Sequence, residues 1–95
     1  RGRQPFAGAT VVNLSPAVAD EIGLDPTRRG VVIVNVDDDS PAARFGFERL
    51  DQVVAVNGVE IGSVNELKAA TAGPQPLWKL AVRRGDRVLA VNVPG

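Results

Sequence analysis

The apolar positions of this chain fall in short runs, most of them alternating with polar ones. Each run is closed by a glycine, a proline or a cluster of Asp and Asn. Runs of that length and period read as β-strands, and helical spacing is confined to a few brief stretches. The first run, Pro5 to Leu14, predicts a tight glycine-containing loop feeding an extended, half-buried strand. Ser15-Pro16 then marks a helix start, Ser15 as N-cap and Pro16 at the first helical position. Ala17 to Ile22 completes that helix, with Val18 and Ile22 on one face and Gly23 as its stop. Leu24 to Arg29 is a polar connector containing the Asp25-Pro26 turn signal. Gly30 to Val36 is the most apolar run, short and β-branched, and it predicts a central strand buried on both faces.

The second half repeats these devices. Asp37-Asp38-Asp39 ends the central strand, and Ser40-Pro41 opens about one helical turn to Arg44, closed by Gly46. Phe47 to Asp51 is a connector with Leu50 turned inward. Gln52 to Val56 predicts a strand and Asn57-Gly58 a tight hairpin, because both positions tolerate positive φ. Val59 to Ile61 returns. Ser63 and Glu66 form a capping box, which predicts a helix from Val64 to Ala72, with Gly73 as its left-handed stop and Pro74 beyond. Trp78, Leu80 and Val82 alternate along a strand from Leu77 to Arg83. Arg84-Gly85-Asp86 is the turn to a last strand, Arg87 to Val93. The fold class that follows is α+β: a small, mostly antiparallel β-sheet or partly open barrel capped by two or three helices.

Composition narrows the function. At 95 residues the chain is near the low end of what folds unaided, and Arg1 to Gln4 is polar and predicted to fray, leaving 5–95 as one domain. Its abrupt start at Arg1 reads as a piece of something longer. Only Phe6, Phe45, Phe47 and Trp78 are aromatic, so the core must be mainly Val, Leu, Ile and Ala. The formal net charge is zero, which argues against a general nucleic-acid or anionic-membrane binder. No apolar run is long enough to span a membrane. With no histidine and no cysteine the chain lacks the residues of Ser-His-Asp and Cys-His nucleophiles and of the usual zinc sites. No cofactor is expected.

Other signals have ordinary explanations. Asp37-Asp38-Asp39 with Glu48 suggests a calcium loop, but Pro41 and Ala42 stand where an oxygen ligand and glycine belong. Arg84-Gly85-Asp86 suits a hairpin turn without an adhesive role. Arg83, Arg84 and Arg87 read as solvated charges. Trp78 reads as core. Asp51 and Glu66 have turn and capping roles rather than a catalytic one.

Three blocks in order resemble a PDZ domain of the bacterial type. They are Phe6-Ala7-Gly8-Ala9; Gly30 to Val36 with Asp39-Ser40-Pro41-Ala42-Ala43-Arg44-Phe45-Gly46; and Asp51-Gln52-Val53-Val54-Ala55-Val56-Asn57-Gly58. The latter two are similar to the family's "SPAAxxG" and "GDxIxxxNG" patterns. Leu14-Ser15-Pro16 with Ile22-Gly23-Leu24 resembles the helical insert of HtrA/Deg-type (DegP/DegQ-like) serine proteases, in which this piece would be a PDZ domain, the second (C-terminal) one being one placement. The sequence departs in having Leu50 where the family usually has glycine. Ala7 and Ala9 flank Gly8 where bulky aliphatic residues are usual.

The resemblance implies a non-catalytic module that captures C-terminal carboxylates and apolar last residues by strand addition. Phe6, Ala7, Gly8 and Ala9 would form the carboxylate loop; Thr10, Val11 and Val12 would pair with the peptide; Leu67 and Ala70 would line the apolar pocket. Backbone N–H groups, a strand edge and one apolar pocket suit this task, and a short peptide held so binds at about micromolar strength, near −8 kcal/mol. The implied partners are C-termini of misfolded or regulatory proteins and the protease domain of the same polypeptide. The implied parent is a periplasmic or cell-envelope homo-oligomer. An oligomerisation or docking domain, and a PDZ domain of a site-2-type membrane metalloprotease, are the alternative settings.

Overall fold

A computed structural model of the chain describes residues 5–73 and 75–94. The expected frayed segment 1–4, Pro74 and Gly95 lie outside the described residues. In order, the elements are β1 (Ala9–Asn13), α1 (Pro16–Ile22), β2 (Val31–Val36), α2 (Pro41–Arg44), β3 (Gln52–Val56), β4 (Val59–Glu60), α3 (Val64–Ala70), β5 (Leu77–Arg84) and β6 (Arg87–Pro94). The strands form one antiparallel sheet in the order β1-β2-β3-β5-β6, with β4 paired to β3. Among the described residues the sheet is not closed into a barrel, and β1 and β6 are its open edges. None of the described helices is long and apolar enough to cross a membrane.

The main core lies on one face of the sheet. Val31, Ile33, Val53, Val56, Leu80 and Val82 pack there with Trp78, and Leu67 of α3 closes over them. A second, smaller core lies on the other face, where Ala19 of α1 is buried with Leu14 and Val32, and Val18 and Ile22 pack beside them. These two cores explain why Val31, Val32 and Ile33 are all buried despite their alternating directions. Each helix start is built as the sequence predicts. Ser15, Ser40 and Ser63 accept from the N–H groups of Val18, Ala43 and Glu66. Gly23 closes α1 at φ +78°, and Asn57 and Gly58 both take positive φ in the β3–β4 turn.

Three local expectations change. Helix α3 ends at Ala70, two residues before the predicted Ala72, and Gly73 is not its left-handed stop. Thr71 caps it instead, its hydroxyl donating to the Leu67 carbonyl at 2.9 Å. Glu66 reaches the Gly62 N–H at 2.7 Å, one residue before the N-cap amide that the usual capping box would engage. Finally, Arg84 belongs to β5, and the β5–β6 loop is Gly85-Asp86 alone.

Candidate functional site

The site grows out of Gly8. Its φ of +90° is a conformation that residues with a Cβ resist. A Cβ placed there would also lie 2.1 Å from the Cβ of Ser40. The loop therefore rests directly on the start of α2. Ala42 N–H donates to the Ala7 carbonyl at 3.1 Å, and Asp37 N–H to the Gly8 carbonyl at 2.8 Å. Phe6 is buried and stacks on Phe47, ring centres 4.8 Å apart. Phe47 sits in a stretch that the sequence marks only as connector. Its partner is 41 positions away, so no local period reveals it. Ala9 N–H turns back to the Phe6 carbonyl at 2.9 Å. The N–H groups of Ala7 and Gly8 have no acceptor among the described residues.

Strand β1 leads from this loop along the open edge. The register shift in the β1–β2 ladder skips Val34, so the extra residue is on β2 and β1 itself is regular. Gly8 accepts from β2's end, and Leu14 N–H donates to the Gly30 carbonyl at 2.7 Å. By alternation, Thr10 and Val12 turn their backbone groups toward β2, while Ala9, Val11 and Asn13 turn theirs outward. Of the three residues expected to pair with a peptide, Val11 alone presents its backbone to the open edge. Its side chain packs against the main core, whereas that of Val12 joins the cluster under α1 and Thr10 is exposed.

Helix α3 stands beside β1 and touches it. Its first residue is tied to β1's last, for Asn13 Oδ1 accepts from Val64 N–H at 2.7 Å. Sequence reasoning missed Asn13, since its partner is 51 residues away. Leu67 is only 4% exposed and is a member of the core. It forms floor rather than a free wall, while Ala70 is half-buried on the same helix. The structure thus has the glycine loop running into β1, and the end of β1 tied to the start of α3.

Two further features lie apart from these elements. A cleft of about 350 Å³ is lined by Pro5, Pro41, Arg44, Phe45, Trp78 and Val93, among others, none of them from β1 or α3. Arg84 is not part of a solvated basic patch. It donates to both carboxylate oxygens of Asp51 at 2.8 and 2.7 Å and to the Gly46 carbonyl at 2.9 Å. Asp51, 1% exposed, also accepts from Glu48 N–H. The Asp51 hydrogen bonds push the Arg84 pKa above its ordinary value, with partial burial opposing. This pair fastens the α2–β3 connection to β5, away from β1 and α3.

An open strand edge set beside a helix, with a glycine loop at one end, defines a class of small α+β modules. The profile of the PDZ domain family matches residues 5–94, and the chain belongs to that family. Its relatives are HtrA- and DegP-like serine proteases. It is 38% identical over 60 residues to a probable periplasmic serine endoprotease DegP-like of Chlamydia muridarum, covering 63% of this chain and 12% of that protein. It is 30% identical over 98 residues to the putative serine protease HhoA of Synechocystis, covering 94% of this chain and 25% of that one. The chain therefore spans between about an eighth and a quarter of these proteins' lengths. Among solved structures it is similar to the HtrA3 PDZ domain bound to a phage-derived ligand, with a TM-score of 0.76, 28% identity, and coverage of 96% of this chain and 84% of that one. The HtrA-type protease AlgW shares the fold at a TM-score of 0.80 and 24% identity, over 93% of this chain and 27% of that one.

Proposed function

We propose that this domain captures the C-terminal end of a peptide by strand addition along β1. The observation that carries the reading is the open edge at Val11, lying between α3 and the Ala7-Gly8 amides. A carboxylate at the loop would accept from those amides, and the preceding residues would pair with Ala9, Val11 and Asn13. The last side chain would lie against α3 near Ala70, over the floor that Leu67 provides. The bound phage-derived ligand of the HtrA3 PDZ domain supports this reading.

In its parent protein the domain would serve a periplasmic HtrA/Deg-like serine endoprotease, as the names of its relatives suggest. It would present C-termini of misfolded or regulatory proteins to a protease domain elsewhere in the same polypeptide. The parent's homo-oligomeric state belongs to the same proposal.

The test is an amide-shift titration of labelled domain with a peptide ending in Val or Leu, and with its C-terminally amidated twin. Saturable shifts at Gly8, Ala9, Val11 and Ala70, lost on amidation, are expected at roughly micromolar to submillimolar concentrations. Equal binding of the amidated peptide would overturn the carboxylate reading. A Gly8→Val variant is a poor control, because its side chain would strike Ser40 and disturb α2. Leu67→Glu is equally unsuitable, since it would place a charge in the core. Ala70→Glu, at a half-buried position, is the cleaner change and should weaken apolar-ended peptides.

A further inference from the structure

The cleft beside α2 shares no lining residue with β1 or α3. The geometry points to a second binding site there, for a small molecule with an apolar body and a terminal carboxylate.

The cleft has a buried floor and an open rim. Pro5, Trp78 and Val93 are buried, while Arg44, Phe45 and Pro94 are exposed. Phe45 follows the last residue of α2 and leaves 36% of its surface to solvent beside this floor. A large apolar ring held at the mouth of an apolar hollow gains by being covered. The volume of about 350 Å³ lies at the lower end of the range that small ligands fill, roughly 300–1,000 Å³. That is room for one compact molecule.

Two donors select the polar end of that molecule. Trp78 is 1% exposed, and its buried Nε1–H has no acceptor among the described residues. An indole N–H can only donate, and a buried one ordinarily finds a partner, because leaving it unmet is costly. Arg44 is the one charged residue in the cleft lining among the described residues. Its Nη2 donates to the Asp39 carbonyl at 3.1 Å, and it forms no ion pair among the described residues. The cleft therefore offers a cation and an unmet donor, with no acidic side chain among its described lining residues. A carboxylate presents acceptors only, and it answers the guanidinium and the indole together. A cationic ligand finds no counter-charge here, and a purely apolar one leaves the Trp78 donor unmet. The apolar body lies against Phe45, Val93 and Pro94.

The experiment titrates labelled domain with 3-phenylpropionate and, separately, with its primary amide. Trp78 is the only tryptophan, so its indole N–H gives one unambiguous signal. Saturable shifts of that signal and of the Phe45 and Val93 amides are expected at roughly millimolar concentrations. The amide, which lacks the charge, should bind about fivefold more weakly, and Arg44→Gln should weaken 3-phenylpropionate by a similar factor. Arg44 is exposed, so this change leaves the core intact. Shifts confined to Gly8, Val11 and Ala70 would place the carboxylate at the glycine loop, which overturns the cleft site and supports the peptide reading. Equal binding of acid and amide, with Arg44→Gln unchanged, would overturn the carboxylate assignment. An indole signal unmoved up to about 10 mM ligand would overturn the site altogether.

Discussion

Gly8 and Leu50 show how single backbone angles set tolerance. Gly8 combines φ +90° with a close approach to Ser40, so Gly8→Ala should lower stability by about 2 kcal/mol or more, from strain and overpacking together. Ser40→Gly alone removes the α2 cap; added to Gly8→Ala it should cost less than it does alone, by the steric part of the Gly8→Ala loss, and urea midpoints of the two single variants and the double variant separate that part from the part due to φ. Leu50 sits at φ +77°, where a side chain costs about 1–2 kcal/mol. That angle explains the glycine usual at this place in the family. Leu50→Gly relieves the strain and loses a half-buried side chain, so its net effect should be within about 1 kcal/mol of zero. Leu50→Ile, β-branched at the same angle, should be clearly destabilising in the same urea series. The sequence marked Leu50 as a departure; only the backbone shows what that departure strains.

Elements are held here by contacts that join distant parts of the chain. Asp51 and Arg84 are 33 positions apart and form a two-pronged ion pair. Asp51→Ala leaves the Glu48 N–H without its acceptor and Arg84 with only the Gly46 carbonyl and Glu48, and should cost about 1–3 kcal/mol. Because Arg84 retains 36% side-chain exposure, the lower half of that range is expected. Arg84→Lys keeps the charge and loses the fork, so it should not restore full stability. In a double-mutant cycle, Asp51→Leu with Arg84→Met should cost less than the sum of the single changes. Most elements were legible from local signals: the three serine caps, Gly23, Asn57-Gly58 and the alternation of Trp78, Leu80 and Val82 each act within a few residues. The end of α3 was not, because Thr71 could close the helix before Gly73 was reached.

At the scale of the molecule, the sheet carries unequal layers on its two faces. The main core joins α3 to four strands, while α1 covers only the β1–β2 end of the other face. Ala19, the fully buried residue of α1, is small because that layer is thin. Ala19→Leu should overpack it by about 1–3 kcal/mol, a fall in melting temperature of roughly 4–8 °C per kcal/mol for a domain of this size. The opposite face, and with it α3, should keep its amide shifts.

Strand and helix identity, the hairpins, the α+β class and the glycine loop are determined by the sequence itself. They depend on φ preferences, capping and periodicity, which operate over a few residues. Tertiary structure decided the rest: that Leu67 is floor rather than free wall, that Val11 is the outward-facing member of its strand, that Arg84 is held by Asp51, and that Asn13 closes on Val64. Each of these depends on which distant segment lies alongside. That is set by the packing of two cores against one sheet, and no local pattern encodes it.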